Sequence, residues 1–337
     1  MTRVAAVDCG TNSTRLLVAD LDGAPAAGSG PGGALLAGSG PGGALPAHVG
    51  AGGDVPRGGA VTDVLRRMEI TRLGQGVDAT GRLAPEALAR TGTVLREYAG
   101  ELRRLRVERV RVAATSATRD AANRLEFVDL VHGLLGVLPE VISGEEEARL
   151  SFAGAVRGLP GEPPFLVCDI GGGSTELVLG TDDAEFAYSM DVGCVRLTER
   201  HLRGDPPTAA QVAAAGADVR AALAPARVQV PVESAATFVG VAGSVTTVAA
   251  LALGLAEYDA TRTHHSRLSA DRVAAVTADL LRSTHAERAT RPVIHPGRVD
   301  VIGAGALILH VIMAELAVPT VVVSEHDILD GLALSLG

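Results

Sequence analysis

Hydrophobic and polar positions along this chain alternate between two periods. Short continuous apolar runs at residues 4–7, 16–19, 165–168 and 177–179 have the length and composition of buried strands. Alternation at Val110, Val112 and Ala114 marks another strand, and residues 64–73, 141–142, 238–241 and 320–323 read the same way. Helical spacing appears at Leu88, Leu95, Tyr98, Leu102 and Leu105, behind Pro85 at a first helical position. It returns at Leu125, Val128 and Val131. Further helices are expected behind the acidic run Glu145-Glu146-Glu147, from Pro207, from Val245, over 271–281 and over 301–316, and in the tail at Ile328, Leu332 and Leu336. The run Thr115-Ser116-Ala117-Thr118-Arg119-Asp120 reads as a polar loop. Strands alternating with helices predict an α/β protein.

One device occurs twice. Asp8-Cys9-Gly10-Thr11-Asn12-Ser13 lies between the first two apolar runs, and Asp169-Ile170-Gly171-Gly172-Gly173-Ser174-Thr175-Glu176 between the second pair. Each is an aspartate at a strand end followed by glycine and small hydroxyl residues. Glycine lets backbone N–H groups approach phosphate oxygens, hydroxyls add donors, and the aspartate can hold a hydrated cation. Gly10, Thr11, Asn12 and Ser13, and Gly171, Gly172, Gly173, Ser174 and Thr175, are therefore candidate phosphate-binding residues. Asp8 and Asp169 are candidate metal ligands. Such residues also make ordinary hairpin turns. The first copy thus draws its weight from the second, whose three glycines would weaken a merely structural strand end.

Two hairpin-led halves predict two similar domains with a cleft between them. We divide them at residues 1–122 and 123–324, with 325–337 returning to the first domain as a helix. Residues 24–60 hold a tandem repeat, GSGPGGALLA followed by GSGPGGALPA. It cannot bury enough apolar surface to offset its ordering entropy, so a flexible insertion is expected there.

Composition narrows the chemistry. The 337 residues carry a formal net charge of -9, so an anionic ligand needs a local site rather than the field of the whole molecule. All 30 basic residues are arginine, which excludes lysine-dependent phosphate loops and leaves the planar guanidinium for bidentate contacts. No tryptophan and 2% aromatics argue against a base-stacking nucleic-acid surface. Three scattered cysteines make neither a disulfide framework nor a zinc site. No apolar run approaches a membrane span, and no leader pattern opens the chain, so a cytoplasmic protein is expected.

The strings DCGTNSTRLL, ATSATRDAAN, ISGEEEARL, CDIGGGSTELVLG, GCVRLTE and SEHDILDG resemble the exopolyphosphatase and guanosine pentaphosphate phosphohydrolase (Ppx/GppA) family. The resemblance spans nearly the whole chain except 24–60. The length and the SEHDILDG ending are most similar to its compact actinobacterial members, which lack an extra C-terminal helical domain. The resemblance implies an actin-like, hexokinase-like fold of two ribonuclease-H-type domains. It implies Mg²⁺-dependent (or Mn²⁺-dependent) hydrolysis of the terminal phosphoanhydride of inorganic polyphosphate, with guanosine pentaphosphate as the alternative substrate, and a homodimer. Residue by residue, it makes Glu147 the catalytic base, Arg119 a catalytic arginine at the cleft that contacts phosphate, and Glu176 a catalytic acid flanking the glycine turn. Gly243 and Ser244 match a third glycine signature. Acidic residues in a first helical turn are favoured by the helix dipole in any case, and Glu145 and Glu146 are read that way. Leu329 departs from the family, many members of which carry arginine there.

Three other readings share these residues. Cys9 to Arg15 has the C-x₅-R spacing of thiol phosphatases, although Leu16-Leu17-Val18 reads as strand where those enzymes begin a helix. A kinase of the same superfamily would keep both phosphate turns. A non-catalytic sensor of guanosine tetraphosphate or polyphosphate would keep the clamp and dispense with the base.

Overall fold

The computed structural model describes residues 1–21 and 61–337. The insertion expected at 24–60 lies outside the described residues. Two mixed sheets carry the fold on one shared plan. In the first, β1 (Thr2–Cys9), β2 (Ser13–Leu21) and β3 (Val61–Ile70) form an antiparallel meander. Parallel strands β4 (Arg109–Ala114) and β5 (Glu140–Val141) extend it beyond β1, giving the order β3-β2-β1-β4-β5. The second sheet repeats this with β6 (Phe165–Ile170), β7 (Thr175–Gly180) and β8 (Ala184–Met190) as the meander. Parallel β9 (Thr237–Val241) lies beside β6. The edge is completed by β10 (Arg267–Ser269), antiparallel to β11 (Thr320–Val323), in the order β10-β11-β9-β6-β7-β8. Every residue of β6 and β7 is buried, which is why these strands read as unbroken apolar runs rather than alternating ones.

Helices cover the sheets. On the first sit α1 (Val77–Thr80), α2 (Pro85–Arg104), α3 (Ser116–Asp120) and α4 (Arg124–Leu135), and α5 (Gly144–Ala155) follows. Then come α6 (Cys194–His201), α7 (Ala209–Gln229), α8 (Ala242–Ala252), α9 (Ala260–Thr263), α10 (Ala270–Arg282), α11 (His285–Ala289) and α12 (Ile302–Glu315) around the second sheet, and α13 (Ile328–Leu334) near the chain end. The expected stripe of α2 buries Leu95, Tyr98 and Leu102. Helix α7 starts two residues after Pro207, behind a Thr208–Gln211 capping box that satisfies its first N–H groups. Among the described residues no helix is long and apolar enough to cross a membrane.

Two expectations need correction. The polar run 115–120 is not a loop: Ser116, Ala117 and Thr118 are buried in α3, where the hydroxyls pack instead of facing water. The boundary drawn at residue 122 falls too early. Helix α4 buries Phe127 and Val131 in the core that holds Leu95 and Tyr98, and β5 pairs with β4. The first lobe therefore runs past Val141, because the apolar face of α4 can be covered only by α2 and the first sheet. The architecture itself is the expected one, α/β with two ribonuclease-H-like, actin-like lobes.

Helices α5 and α13 join the lobes. Ala148, Phe152 and Ala155 of α5 pack on Val167, Val178 and Val239 of the second sheet. Leu150, on another face, joins Ile328, Leu329 and Leu332 of α13 over Val4, Ala6 and Leu17 of the first. The two helices cross with their backbones in contact. A Cβ on Gly154 would lie 2.0 Å from the carbonyl oxygen of Asp327, and one on Gly331 1.9 Å from that of Leu150. Neither carbonyl can swing away as a flexible side chain could.

Gly331→Ala should therefore cost at least about 3 kcal/mol, the upper end of overpacking penalties. Gly100→Ala, in open space on α2, should instead gain about 0.5–1 kcal/mol from helix propensity. Thermal and denaturant unfolding of the two variants beside the parent reads both signs.

Candidate active site between the lobes

The twin turns prove to be the same structure. Gly10 N–H donates to the carbonyl of Ser13 at 2.9 Å, and Gly171 N–H to that of Ser174 at 3.0 Å. Each follows the C-terminal end of its sheet's central hairpin strand, where α/β sheets expose backbone groups to ligands. The turns face each other and touch. A Cβ on Gly172 would lie 2.9 Å from Thr11 Cβ, and one on Gly173 2.6 Å from Ser116 Oγ. Thr11 Oγ1 and Ser116 Oγ share a hydrogen bond of 2.8 Å. The triple glycine thus answers a packing demand as well as a binding one.

One cleft of about 710 Å³, open mouth included, gathers most of the expected residues. Asp8, Gly10, Thr11, Asn12 and Ser13 line it from the first lobe; Asp169, Gly171, Gly172 and Ser174 line it from the second. Gly243 and Ser244 enter at the start of α8, and Glu147 from the first turn of α5. Four expected residues stand outside the lining. Gly173 is turned against Ser116. Thr175 Oγ1 donates to the Val192 carbonyl at 2.6 Å. Glu176 is 1% exposed, behind the second turn. Arg119 donates through Nη1 to the Ile142 carbonyl at 3.0 Å and to Glu147 Oε2 at 3.1 Å, so it braces Glu147 from behind. Its sequence neighbour Asp120 pairs with Arg196 at 2.5 Å instead.

Two arginines of the lining were not singled out for the site. Arg15 contacts Asp8 Oδ2 through Nη2 at 2.7 Å and Nε at 2.9 Å, and its Nη1 pairs with Asp327, the N-cap of α13. A signal existed in the β1–β2 register, which sets Arg15 directly opposite Asp8. Arg298 comes from the turn before α12. Among the described residues it has no carboxylate within ion-pair distance and makes one hydrogen bond, Nη1 to the Gly243 carbonyl at 3.3 Å. Nothing in its sequence surroundings marks it.

The register exposes a difference between the twin devices. Asp8 faces Arg15 across its hairpin, whereas Asp169 faces Glu176. The first carboxylate is charge-paired; the second joins an acid cluster. Burial pushes the Glu147 carboxyl up to about 8, with Arg119 pulling it back and Asp169 and Asp8 adding to the rise. Burial, then the charge of Asp327, raises Asp169, although Ser151 Oγ donates to it at 2.5 Å. Glu176 is raised well above its ordinary range by burial, then by Glu147 and Asp169, against a 2.7 Å hydrogen bond from Ser189 Oγ. Burial alone would raise Asp327 too, but the charge and hydrogen bonds of Arg15 hold it below the usual carboxylate range.

The thiol-phosphatase arrangement is absent. Burial pushes the Cys9 thiol well up, Arg15 is committed to two carboxylates, and the turn runs into strand β2. The oxygen donors are better suited to a hard cation. Asp8 Oδ1 and Asn12 Oδ1 are buried without a hydrogen-bond partner. Among the described residues no group of three or more His, Cys, Asp or Glu converges on one point. That pattern does not fit an all-protein cage; it fits Mg²⁺, which keeps waters and takes one or two carboxylates plus phosphate oxygens.

Two like lobes closing on paired turns of backbone donors, buried acids and arginines define a phosphoryl-handling protein of the actin-like class. The chain belongs to the Ppx/GppA phosphatase family, whose model matches residues 54–336. It is 48% identical to a protein named exopolyphosphatase 2 from Mycobacterium tuberculosis, across 100% of this chain and 99% of that one. A crystal structure of an exopolyphosphatase-like protein superposes with a TM-score of 0.86 at 40% identity, covering 100% and 99% of the two chains. The Aquifex aeolicus PPX-GPPA enzyme does so with a TM-score of 0.74 at 29% identity, covering 99% of each.

Removing the guanidinium would strand two buried carboxylates. Arg15→Met should lower stability by about 3–5 kcal/mol at neutral pH. The deficit should narrow toward about pH 5, where the stranded acids take up protons more readily than ordinary carboxylates. Urea unfolding at the two pH values measures both effects.

Proposed function

We propose that this protein is an exopolyphosphatase, which hydrolyses the terminal phosphoanhydride of linear inorganic polyphosphate and releases orthophosphate. The observation that carries the reading is the position of Glu147, a buried carboxylate in the same cleft as both phosphate turns. A clamp alone would serve a kinase or a sensor; a base beside it serves water. The likeness to exopolyphosphatase 2 of Mycobacterium tuberculosis supports the same substrate class.

In this reading the chain end lies between the turns. N–H groups of residues 11–13 and 172–174, the hydroxyls of Thr11, Ser13, Ser174 and Ser244, and the Arg298 guanidinium face its oxygens. Asp8 and Asp169 would hold Mg²⁺, or Mn²⁺ in its place; when bound, the cation neutralises charge on the phosphate oxygens. Arg119 occupies Glu147 Oε2 and leaves Oε1 to take a proton from water. The water oxygen forms a bond to the terminal phosphorus, the bridging P–O bond breaks, and its electron pair stays with the shortened chain. Burial, then the charges of Glu147 and Asp169, favours the protonated form of Glu176 and so limits the negative charge beside the base. Donors fixed before the reaction supply the rest of the barrier reduction. The homodimer and the cytoplasmic setting implied by the family belong to the same proposal.

Glu147→Gln should lower orthophosphate release by about 10²–10⁴-fold while leaving the fold intact, the usual contribution of a positioned base. Cys9→Ser should keep activity. Turnover should rise with pH toward about 8 as Glu147 ionises, since only the carboxylate can accept the proton. Phosphate release from long polyphosphate, short polyphosphate and guanosine pentaphosphate, assayed side by side with and without chelator, tests the reading. A Glu147→Gln variant with parental rates, or release from guanosine pentaphosphate alone, would contradict it.

A further inference from the structure

Buried hydroxyls in the helices of this protein tend to bond within their own helix. Thr91, Thr247 and Thr277 each donate to the backbone carbonyl four residues back, at 2.9, 2.6 and 2.8 Å. Such a bond satisfies the hydroxyl locally. Ser151 breaks the pattern. It is 0% exposed in the middle of α5, yet its single proton crosses to the second sheet, where Oγ donates to Asp169 Oδ2 at 2.5 Å. The neighbouring Ala148, Phe152 and Ala155 meet that sheet through apolar contacts. Packing alone gives no reason for a hydroxyl at this position, and burying one is unfavourable unless it has a partner.

The partner is a residue of the cleft. Asp169 lines it, and Ser151 stands behind it. The Cβ–Cγ torsion of an aspartate is soft, so a free carboxylate samples a broad range of orientations. With one oxygen held from behind, the other keeps a single direction. The first lobe uses the same device with a different donor. Asp8 Oδ2 is held by Arg15 at 2.7 and 2.9 Å, and Asp8 Oδ1 is buried without a partner. Both candidate cation ligands thus have Oδ2 fixed by a donor. Arginine brings a charge to Asp8; the serine hydroxyl orients Asp169 and brings none. Glu147 precedes Ser151 by one turn of the same helix, so one rigid segment carries the base and holds the ligand carboxylate.

We propose that Ser151 is the positioning residue of the divalent-cation site: its hydrogen bond presents the Asp169 carboxylate to Mg²⁺, or to Mn²⁺ in its place, and so sets how tightly the cation is held. Ser151 acts through Asp169 and takes no part in the chemical step. The inference rests on the assignment of Asp169 to the cation site, and its test separates the two.

Binding of Mn²⁺ alone to the full chain is followed by electron paramagnetic resonance of the free ion, without substrate or turnover. The proteins are the parent, Ser151→Ala, Thr91→Ala and Asp169→Asn. Ser151→Ala removes one oxygen at a helical position and favours the helix, so the fold is kept. It should raise Kd for Mn²⁺ by about tenfold, the lower end of what losing the partner of a metal ligand costs. Thr91→Ala deletes an equally buried helical hydroxyl far from any carboxylate partner and should leave Kd unchanged. Asp169→Asn should lose the binding. In orthophosphate release, Ser151→Ala should need about tenfold more Mg²⁺ for half-saturation and recover kcat once Mg²⁺ saturates. Parental Mn²⁺ affinity in Ser151→Ala beside a loss in Asp169→Asn would overturn the proposal and leave the cation assignment standing. Equal weakening in Thr91→Ala and Ser151→Ala would reduce Ser151 to a structural role and overturn it as well. Parental affinity in Asp169→Asn, or no Mn²⁺ binding by the parent, would remove the cation assignment and the proposal with it. The expected order of Mn²⁺ affinities with no orthophosphate release by the parent would sink the hydrolase reading and leave Ser151 in place.

Discussion

The guanidinium of Arg15 between the carboxylates of Asp8 and Asp327 is the contact on which the rest of this molecule depends. Burying two acids in one place is unfavourable without a cation beside them, and Arg15 supplies it to both. It ties the first phosphate turn to the residue that caps α13. Helix α13 is further anchored by the Arg66–Asp330 pair. Once placed, it fixes α5 through a glycine crossing that tolerates no side chain on either helix. The first turn of α5 carries Glu147. A salt bridge in the first lobe thereby sets the height at which Glu147, the base of the proposed reaction, stands over a cleft shared by both.

The twin turns are alike in backbone and opposite in electrostatics. Both close with the same Gly-to-Ser hydrogen bond. Their cross-strand partners differ: arginine faces Asp8, and glutamate faces Asp169. The first lobe contributes a floor whose aspartate is paired with an arginine. The second contributes Asp169 and Glu176, and α5 adds Glu147, three acids whose burial, with the charges of neighbouring carboxylates, raises their proton affinities. Such a cluster is costly without a ligand. A cation and a bound polyanion relieve that cost in complementary ways, which is a physical reason for the site to bind both.

Most of the fold could be read in the chain because its strands are apolar runs and its helices carry clean stripes. The doubled D-x-G turn pointed to doubled lobes, and the repeated strand order bears that out. Local signals failed where tertiary burial decided the outcome. Ser116 and Thr118 look like loop residues but are packed inside α3, and α4 was cut from the first lobe because no sequence pattern says which sheet covers its face. At the site, residues on the turns were legible from composition, as glycine and hydroxyl clusters have few other reasons to follow a buried strand. Arg298 was not, since a lone arginine in a turn looks like any solvated one. Arg15 was noticed only as part of a cysteine spacing, although its register opposite Asp8 was implicit in the hairpin. Glu147 stood out from Glu145 and Glu146 by family resemblance alone; in the structure it is buried whereas they are not.

The central claim is that water, positioned by Glu147, attacks the terminal phosphorus directly. Hydrolysis of polyphosphate in ¹⁸O-labelled water under single-turnover conditions tests it most directly, with the products read by mass spectrometry. The account predicts one labelled oxygen in each orthophosphate released, none in the shortened chain, and no phosphorylated protein at any time. Label in the shortened chain, or a phosphorylated protein that forms and decays at the rate of turnover, would contradict it.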